Sequence, residues 1–176
     1  MEEKVFLVRI NFDIYNDVIQ YCYDNNYIAI LVDKDDEKKV WEKNIGNDKL
    51  NKSKKQFIDR WFSLQKSVNE NDVLVLVTFK GNKKAKIGKI IKKTQFEEYN
   101  KDSQFKLFKF EVNENSEFDL EDFPIFSSII PSQVTISPII KRAKVIRHLY
   151  QYGNLNQIDI SLDNISEKSV ELICLE

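Results

Sequence analysis

The sequence predicts an α+β fold in which a curled, mostly antiparallel sheet or small β-barrel is flanked by helices. Apolar runs of strand length follow one another closely in mid-chain, and the helical segments that a parallel α/β fold needs between later strands are missing. With 176 residues, of which 42% are hydrophobic, the chain can build the core of one domain. We expect residues 1–152 to form it and residues 153–176 to be an extension or the beginning of a further domain.

The first half of the chain predicts two buried strands and two helices. Lys4–Ile10 and Tyr27–Val32 are near-continuous apolar runs, which is typical of strands buried on both faces. Between them, Asn11 or Asp13 is placed to cap a helix. A long charged loop follows, and Ser53 then begins an amphipathic helix. One face of that helix carries Phe57, Trp61, Leu64 and Val68.

The most concentrated charge lies on a predicted hairpin. Val73–Phe79 is a third apolar run, and Gly81-Asn82 has the composition of a turn into the next strand. The segment Lys80–Lys93 holds seven lysines and no acid, whereas Glu111–Asp122 holds six acids and no base. We therefore expect a dipolar surface despite the formal net charge of −1. The basic hairpin suits a polyanion; the alternative is a ribbon whose lysines keep an exposed edge soluble.

The remaining elements are shorter. Phe105–Val112 alternates apolar and charged residues, as a half-exposed strand does. We interpret the acidic segment after it as a solvated loop, and Gln133–Ile136 as a short strand. Ser137-Pro138 has the composition of a helix start, with Ser at the N-cap and Pro at the first helical position. Gly153 suits the end of that closing helix.

Composition and motifs exclude several classes of protein. No apolar run approaches the roughly 20 residues of a membrane-spanning helix, and the acidic N-terminus does not resemble a signal peptide. Cys22 and Cys174 lack metal-ligand spacing, which favours a cytoplasmic protein with buried thiols. His148 is the only histidine, and no phosphate loop, nucleophile elbow or zinc motif is present. We expect no enzyme activity, no metal and no cofactor.

Short phrases in a defined order resemble the PUA-like superfamily, and within it the EVE and YTH branch. The resemblance covers residues 4–150 and is greatest to the modules at the N-termini of bacterial modification-dependent restriction proteins. The phrases are Phe6–Arg9, Tyr27–Ile30, Gln56–Phe62, Asn71–Val77, Ile87–Ile90, Phe105–Phe110 and Thr135–Tyr150.

The resemblance implies a reader of modified nucleic acid, active in anti-phage restriction. Such domains flip one nucleotide into an aromatic pocket and hold the neighbouring phosphates with basic residues. This chain has Leu31-Val32-Asp33 where the family often has a cage tryptophan, so Trp41 in the long loop is the candidate replacement. The candidate base pocket is Trp41, Phe79, Tyr99, Asp33 and Asn11. The candidate phosphate contacts are Arg9, Lys80, Lys83, Lys84, Lys86, Lys89, Lys92, Lys93, Arg142 and Arg147.

The expected partner is nucleic acid, with DNA favoured over RNA, alongside a possible effector subunit or domain and without a membrane. The departure at the second strand favours an alternative, a protein–protein module of a defence or anti-defence system in which the pocket is unused. A sensor of a free nucleotide is a third possibility. The remaining aromatic and charged residues have simpler interpretations: Trp61 belongs to the core, and Asn11 can be a helix cap instead of a base contact.

Overall fold

The computed structural model describes residues 3–12, 15–31, 52–99, 102–123, 126, 130 and 135–155. Three helices and eight strands are defined in these ranges. The helices are α1 (Asn16–Asn25), α2 (Lys52–Glu70) and α3 (Ala143–Tyr152). The strands are β1 (Lys4–Ile10), β2 (Tyr27–Leu31), β3 (Val73–Phe79), β4 (Lys84–Ile90), β5 (Glu97–Tyr99), β6 (Asp102–Lys109), β7 (Glu117–Asp119) and β8 (Ile136–Ile139).

The described strands form two separate sheets and not a closed barrel. The large sheet has the order β7-β4-β3-β1-β8, and the small sheet has the order β2-β6-β5. Pairing is antiparallel except between β1 and β3, which run parallel in the centre of the large sheet. The coarse α+β class with mostly antiparallel strands is therefore confirmed, whereas a barrel is not seen in the described residues.

The two central strands are apolar except at Lys4, Arg9 and Thr78, because both of their faces are covered. Alternate residues of β1 and β3, such as Phe6 and Val75, join a first core with α1, α2 and the small sheet. The intervening residues, such as Leu7 and Leu74, join a second core with α3. This two-sided burial explains why both runs lack the alternation of a half-exposed strand. The bounds predicted for both strands are confirmed.

The predicted start of the closing helix is wrong. Ser137 and Pro138 lie in β8, paired with Leu7 and Phe6 of β1, and α3 begins only at Ala143. A proline is tolerated in this position because β8 is an edge strand of the large sheet. The C-terminal end agrees with the prediction, since Gly153 has φ 71° and its N–H donates to the Leu149 carbonyl at 2.8 Å.

Other elements differ in smaller ways. The helix α1 has Tyr15 at its N-cap without a side-chain capping bond, so the prediction that Asn11 caps it is wrong; Asp13 lies outside the described residues. Trp61 is buried in the first core, as predicted. No helix among the described residues is long and apolar enough to span a bilayer. The C-terminal extension beyond Leu155 also lies outside the described residues.

Cys22 offers a direct test of this core. Its side chain is fully buried on α1, and desolvation raises the pKa of the thiol from 9.0 to about 12. Stabilisation by the protonated thiol is present below pH 9 and lost as the pH rises from 9 towards 12. In a Cys174→Ser background, we expect a disulfide reagent at pH 8 to label Cys22 only when the protein unfolds. Rapid labelling of the folded protein would contradict the burial.

Candidate nucleic-acid interface

The basic hairpin is formed by β3 and β4, as predicted. Gly81 adopts φ 78° in the turn, a left-handed conformation that glycine adopts without strain. The Asn82 N–H donates to the Phe79 carbonyl at 3.1 Å, and the Asn82 side chain accepts the N–H of Lys84 at 2.9 Å. The turn residues therefore fix the register of the two strands.

The acidic segment runs along the outer edge of this hairpin. Its strand β7 pairs antiparallel with β4, bringing Glu117 opposite Lys86 and Asp119 opposite Lys84. Glu111 and Lys89 exchange backbone hydrogen bonds of 2.8 and 2.9 Å. The interpretation of the whole segment as a solvated loop is therefore wrong, because β7 completes the sheet and buries Phe118 in the second core.

Carboxylates neutralise several of the hairpin lysines. Glu121 pairs with Lys83 at 2.8 Å, Glu117 with Lys84 at 2.6 Å, and Glu3 with Lys89 at 3.0 Å. Lys84 and the hydroxyl of Tyr23 lower the pKa of Glu117 by hydrogen bonding. The expected dipolar surface is not what the structure shows, because the basic and acidic segments are neighbours in one sheet.

Lys86 is turned inward. It is 9% exposed, and its Nζ donates to the Tyr23 carbonyl at 2.6 Å and to Asn26 Oδ1 at 2.9 Å. The ammonium also lies 4.2 Å from the centre of the Tyr23 ring. Burial lowers the pKa of Lys86, while Glu117 and Asp24 act in the opposite direction. These contacts tie β4 to the carbonyl end of α1, where a cation is favourable, and we leave Lys86 out of the proposed surface.

The remaining hairpin lysines lie at opposite ends of the ribbon. Lys80 is exposed at the turn, and Lys92 and Lys93 are exposed beyond the last residue of β4. The backbone N–H of Lys92 donates to the Asp72 carboxylate at 2.8 Å, and that of Lys93 to the Val68 carbonyl at 2.7 Å. Seven residues of β4 separate the two groups, so the lysines do not form one continuous track.

The described aromatic residues of the predicted pocket are part of the first core. Phe79 is 3% exposed and packs edge-to-face on Tyr23, with ring centroids 5.2 Å apart. Tyr99 is 6% exposed and contacts the rings of Tyr21 and Phe105. Trp41 and Asp33 lie outside the described residues. The structure thus places Phe79 and Tyr99 as packing residues and shows neither of them exposed to a ligand.

Parallel pairing brings three other predicted residues together. Arg9 lies opposite Thr78, and the Lys80 N–H donates to the Ile10 carbonyl at 2.9 Å. Asn11 follows β1 directly and is exposed, as is Lys80. We call Arg9, Asn11 and Lys80 the carboxyl edge, since they lie where the two parallel strands end. Ligand-binding sites are common at the carboxyl ends of parallel strands, because the residues that follow each strand come together there.

The two predicted arginines at α3, the N-cap residue Arg142 and the helical residue Arg147, have different environments. Arg147 donates from Nε, at 3.1 Å, and from Nη2 to the Glu3 carbonyl, which ties α3 to the start of β1. Arg142 is partly buried, and its Nη1 has no hydrogen-bond partner. Neither residue adjoins the carboxyl edge, because β8 runs antiparallel to β1 and places α3 at the other end of the large sheet.

Sequence reasoning missed Tyr23 as the residue that joins α1 to the hairpin. Its ring packs on Phe79 and lies under Lys86, and its hydroxyl donates to Glu117 at 2.8 Å. Only the placement of α1 across the sheet shows this, and no local motif marks it. His148 lies against Tyr152 on α3, with ring centroids 4.6 Å apart.

Within the described ranges, no three His, Cys, Asp or Glu side chains converge as a metal site would require. Comparison of the chain with protein-family models, curated proteins and solved structures found no match.

Proposed function

We propose that the protein is a nucleic-acid-binding module that holds a flipped-out, modified nucleotide at the carboxyl edge, in the setting of bacterial anti-phage restriction and with DNA as the preferred partner. The observation that supports this proposal is the parallel β1/β3 register, which sets exposed Asn11 beside exposed Lys80, with Arg9 on the same strand end. The restriction setting rests on the resemblance to EVE-like modules.

Each residue of the carboxyl edge has the chemistry that the proposal needs. The amide of Asn11 both donates and accepts hydrogen bonds, so it can read the edge of a base. Lys80 and Arg9 carry positive charge for the adjacent phosphates. Flipping a base costs a few kcal/mol, and stacking on an aromatic side chain such as Trp41 returns about 1–3 kcal/mol. Base contacts and stacking would set the preference for a modified base. The two cations would contribute affinity for nucleic acid of any sequence.

Substitutions at the carboxyl edge should separate these two contributions. We expect Lys80→Gln to weaken binding to every oligonucleotide alike and to reduce the salt slope by about 0.7–0.9. Asn11→Ala and Trp41→Ala should instead lower the ratio of the affinities for modified and unmodified oligonucleotides by about tenfold. The measurement is salt-dependent titration with oligonucleotides that are unmodified or carry methylated or hydroxymethylated cytosine or N6-methyladenine. Asn69→Ala, an exposed position on α2, is the matched control for Asn11.

The ion pairs of the hairpin favour a second candidate function, a protein–protein module of a defence system. Because Glu117 and Glu121 already neutralise Lys84 and Lys83, the ribbon offers a mixed-charge surface of the kind that fits another protein. Absence of binding to all oligonucleotides, even at low salt, would overturn the nucleic-acid proposal and leave this one.

A further inference from the structure

A second set of cations lies at the opposite end of the large sheet. Strands β1 and β3 begin there, and β4 and β8 end there, as the pairs Lys4–Val73, Val73–Ile90 and Val5–Ile139 show. The register therefore aligns residues from four distant parts of the chain along one edge. We call this the amino edge, and its cations are Lys4, Lys92, Lys93, Lys141, Arg142 and Lys144.

The cations of the amino edge differ from Lys83, Lys84 and Lys89 of the hairpin, which are paired with carboxylates. Within the described residues, none of its six cations makes an ion pair. Five of them are exposed lysines, of which Lys4 donates from Nζ to Ser67 Oγ at 3.2 Å. Arg142 is partly buried, and its Nη1 is shielded from solvent and has no hydrogen-bond partner. Two acids lie nearby: Glu3 pairs with Lys89 at 3.0 Å, and the Asp72 carboxylate, which belongs to this edge, accepts the backbone N–H of Lys92 at 2.8 Å.

We propose that the amino edge binds the phosphodiester backbone of the same nucleic acid, so that general affinity comes mainly from here and not from the paired hairpin lysines Lys83, Lys84 and Lys89. This inference rests on the proposed function. Four neighbouring strands span about 14 Å at the usual strand spacing, which is roughly four nucleotides along one strand of a B-form duplex. Positive charges in such a row release counterions from the nucleic acid and so favour binding.

The exposed Ile140 sits within this edge and helps to distinguish the partner. It is 81% exposed and directly precedes Lys141, so an apolar side chain projects beside several cations. Proteins that contact nucleic acid place apolar side chains in this way against sugars and base steps. One isoleucine buries too little apolar area to anchor a protein on a membrane. Nucleic acid is therefore favoured over a membrane as the partner of this surface.

The test compares two pairs of lysines in the full chain. We expect Lys141→Gln/Lys144→Gln to make the slope of log K against log salt shallower by about 1.5, two contacts at 0.7–0.9 each, and to leave the preference for a modified base unchanged. The control, Lys106→Gln/Lys109→Gln, removes the same charge from β6 of the small sheet and should leave the slope unchanged. Lys109, Lys141 and Lys144 are exposed, whereas Lys106 is partly buried and pairs with Glu98, so circular dichroism checks that each variant folds.

The two proposals fail in different ways. If both pairs of variants gave the same slope of log K against log salt, the proposal for the amino edge would be wrong. The proposal for the carboxyl edge would be unaffected. A slope that depends on Lys141 and Lys144 in a protein without any base preference would overturn the modified-base proposal and support the amino edge. Binding of the protein to vesicles with anionic lipid, without binding to a 20-nucleotide single strand or duplex, would overturn both.

Discussion

Replacing Gly88 with alanine is expected to lower the free energy of unfolding by about 3 kcal/mol. Gly88 lies in β4 opposite Val75, where an added Cβ would meet Phe110 Cδ2 at 2.2 Å and the Glu111 carbonyl oxygen at 2.7 Å. One neighbour is a ring in the first core and the other is backbone, so neither can move without disturbing the contacts around it. Denaturant unfolding followed by fluorescence measures the loss.

The matched control is Gly81→Ala in the turn of the same hairpin. An added Cβ meets nothing within 4 Å there, but φ is 78°, so the cost is only the left-handed strain of about 1–2 kcal/mol. A loss at Gly88 no larger than that at Gly81 would mean that β4 and the segment after β6 are farther apart than in the structure.

The second large effect is expected at Lys86. Lys86→Met keeps the length of the side chain and removes the donor, which leaves the Tyr23 carbonyl and Asn26 Oδ1 without their partner. We expect a loss of about 2 kcal/mol of stability, the usual worth of a hydrogen bond to a charged group. At temperatures where the variant is folded, its affinity for nucleic acid should equal that of the unaltered protein, because Lys86 faces inward.

Lys84→Met serves as the comparison, since Lys84 is two residues away on the same strand and pairs with Glu117 at the surface. Exposed ion pairs contribute little to stability, so this variant should unfold at nearly the same denaturant concentration as the unaltered chain. If Lys86→Met were as stable as Lys84→Met but bound nucleic acid weakly, Lys86 would be a phosphate contact after all.

The arrangement of charge changes where a polyanion is expected to bind. Read along the chain, the seven lysines of the hairpin are the obvious surface. In the folded protein, however, acids from other parts of the chain lie beside these lysines. Three ion pairs with N–O distances of 2.6–3.0 Å neutralise Lys83, Lys84 and Lys89. Of the amino-edge cations, Lys92 and Lys93 end the hairpin segment, whereas the others come from distant segments and are inconspicuous in the sequence.

The strands that the sequence predicts correctly are those whose residues are mostly buried. Val73–Phe79 and Lys4–Ile10 need no partner to be recognised, because a short apolar run between polar segments has few other stable states. The three-residue strands β5 and β7 are not predicted, since each has too few residues to show a period. Local capping preferences predict a helix start at Ser137-Pro138, and the pairing of these residues with β1 overrides those preferences.

The candidate site divides in the same way. The sequence identified Arg9, Asn11 and Lys80 one by one, and only the parallel pairing of β1 with β3 brings them to one edge. Phe79 and Tyr99 follow hydrophobic patterns that suit either a pocket wall or a core, and the packing of α1 and β6 places both in the core.

By itself, the sequence determined the α+β class, the two-sided burial of the central strands, the hairpin turn at Gly81 and the end of the last helix at Gly153, because each depends on neighbouring residues and their burial. Only the tertiary structure decided which charges face each other. Electrostatic energy depends on distance in space, and the antiparallel pairing of β7 with β4 places carboxylates beside lysines that lie about thirty residues earlier in the chain.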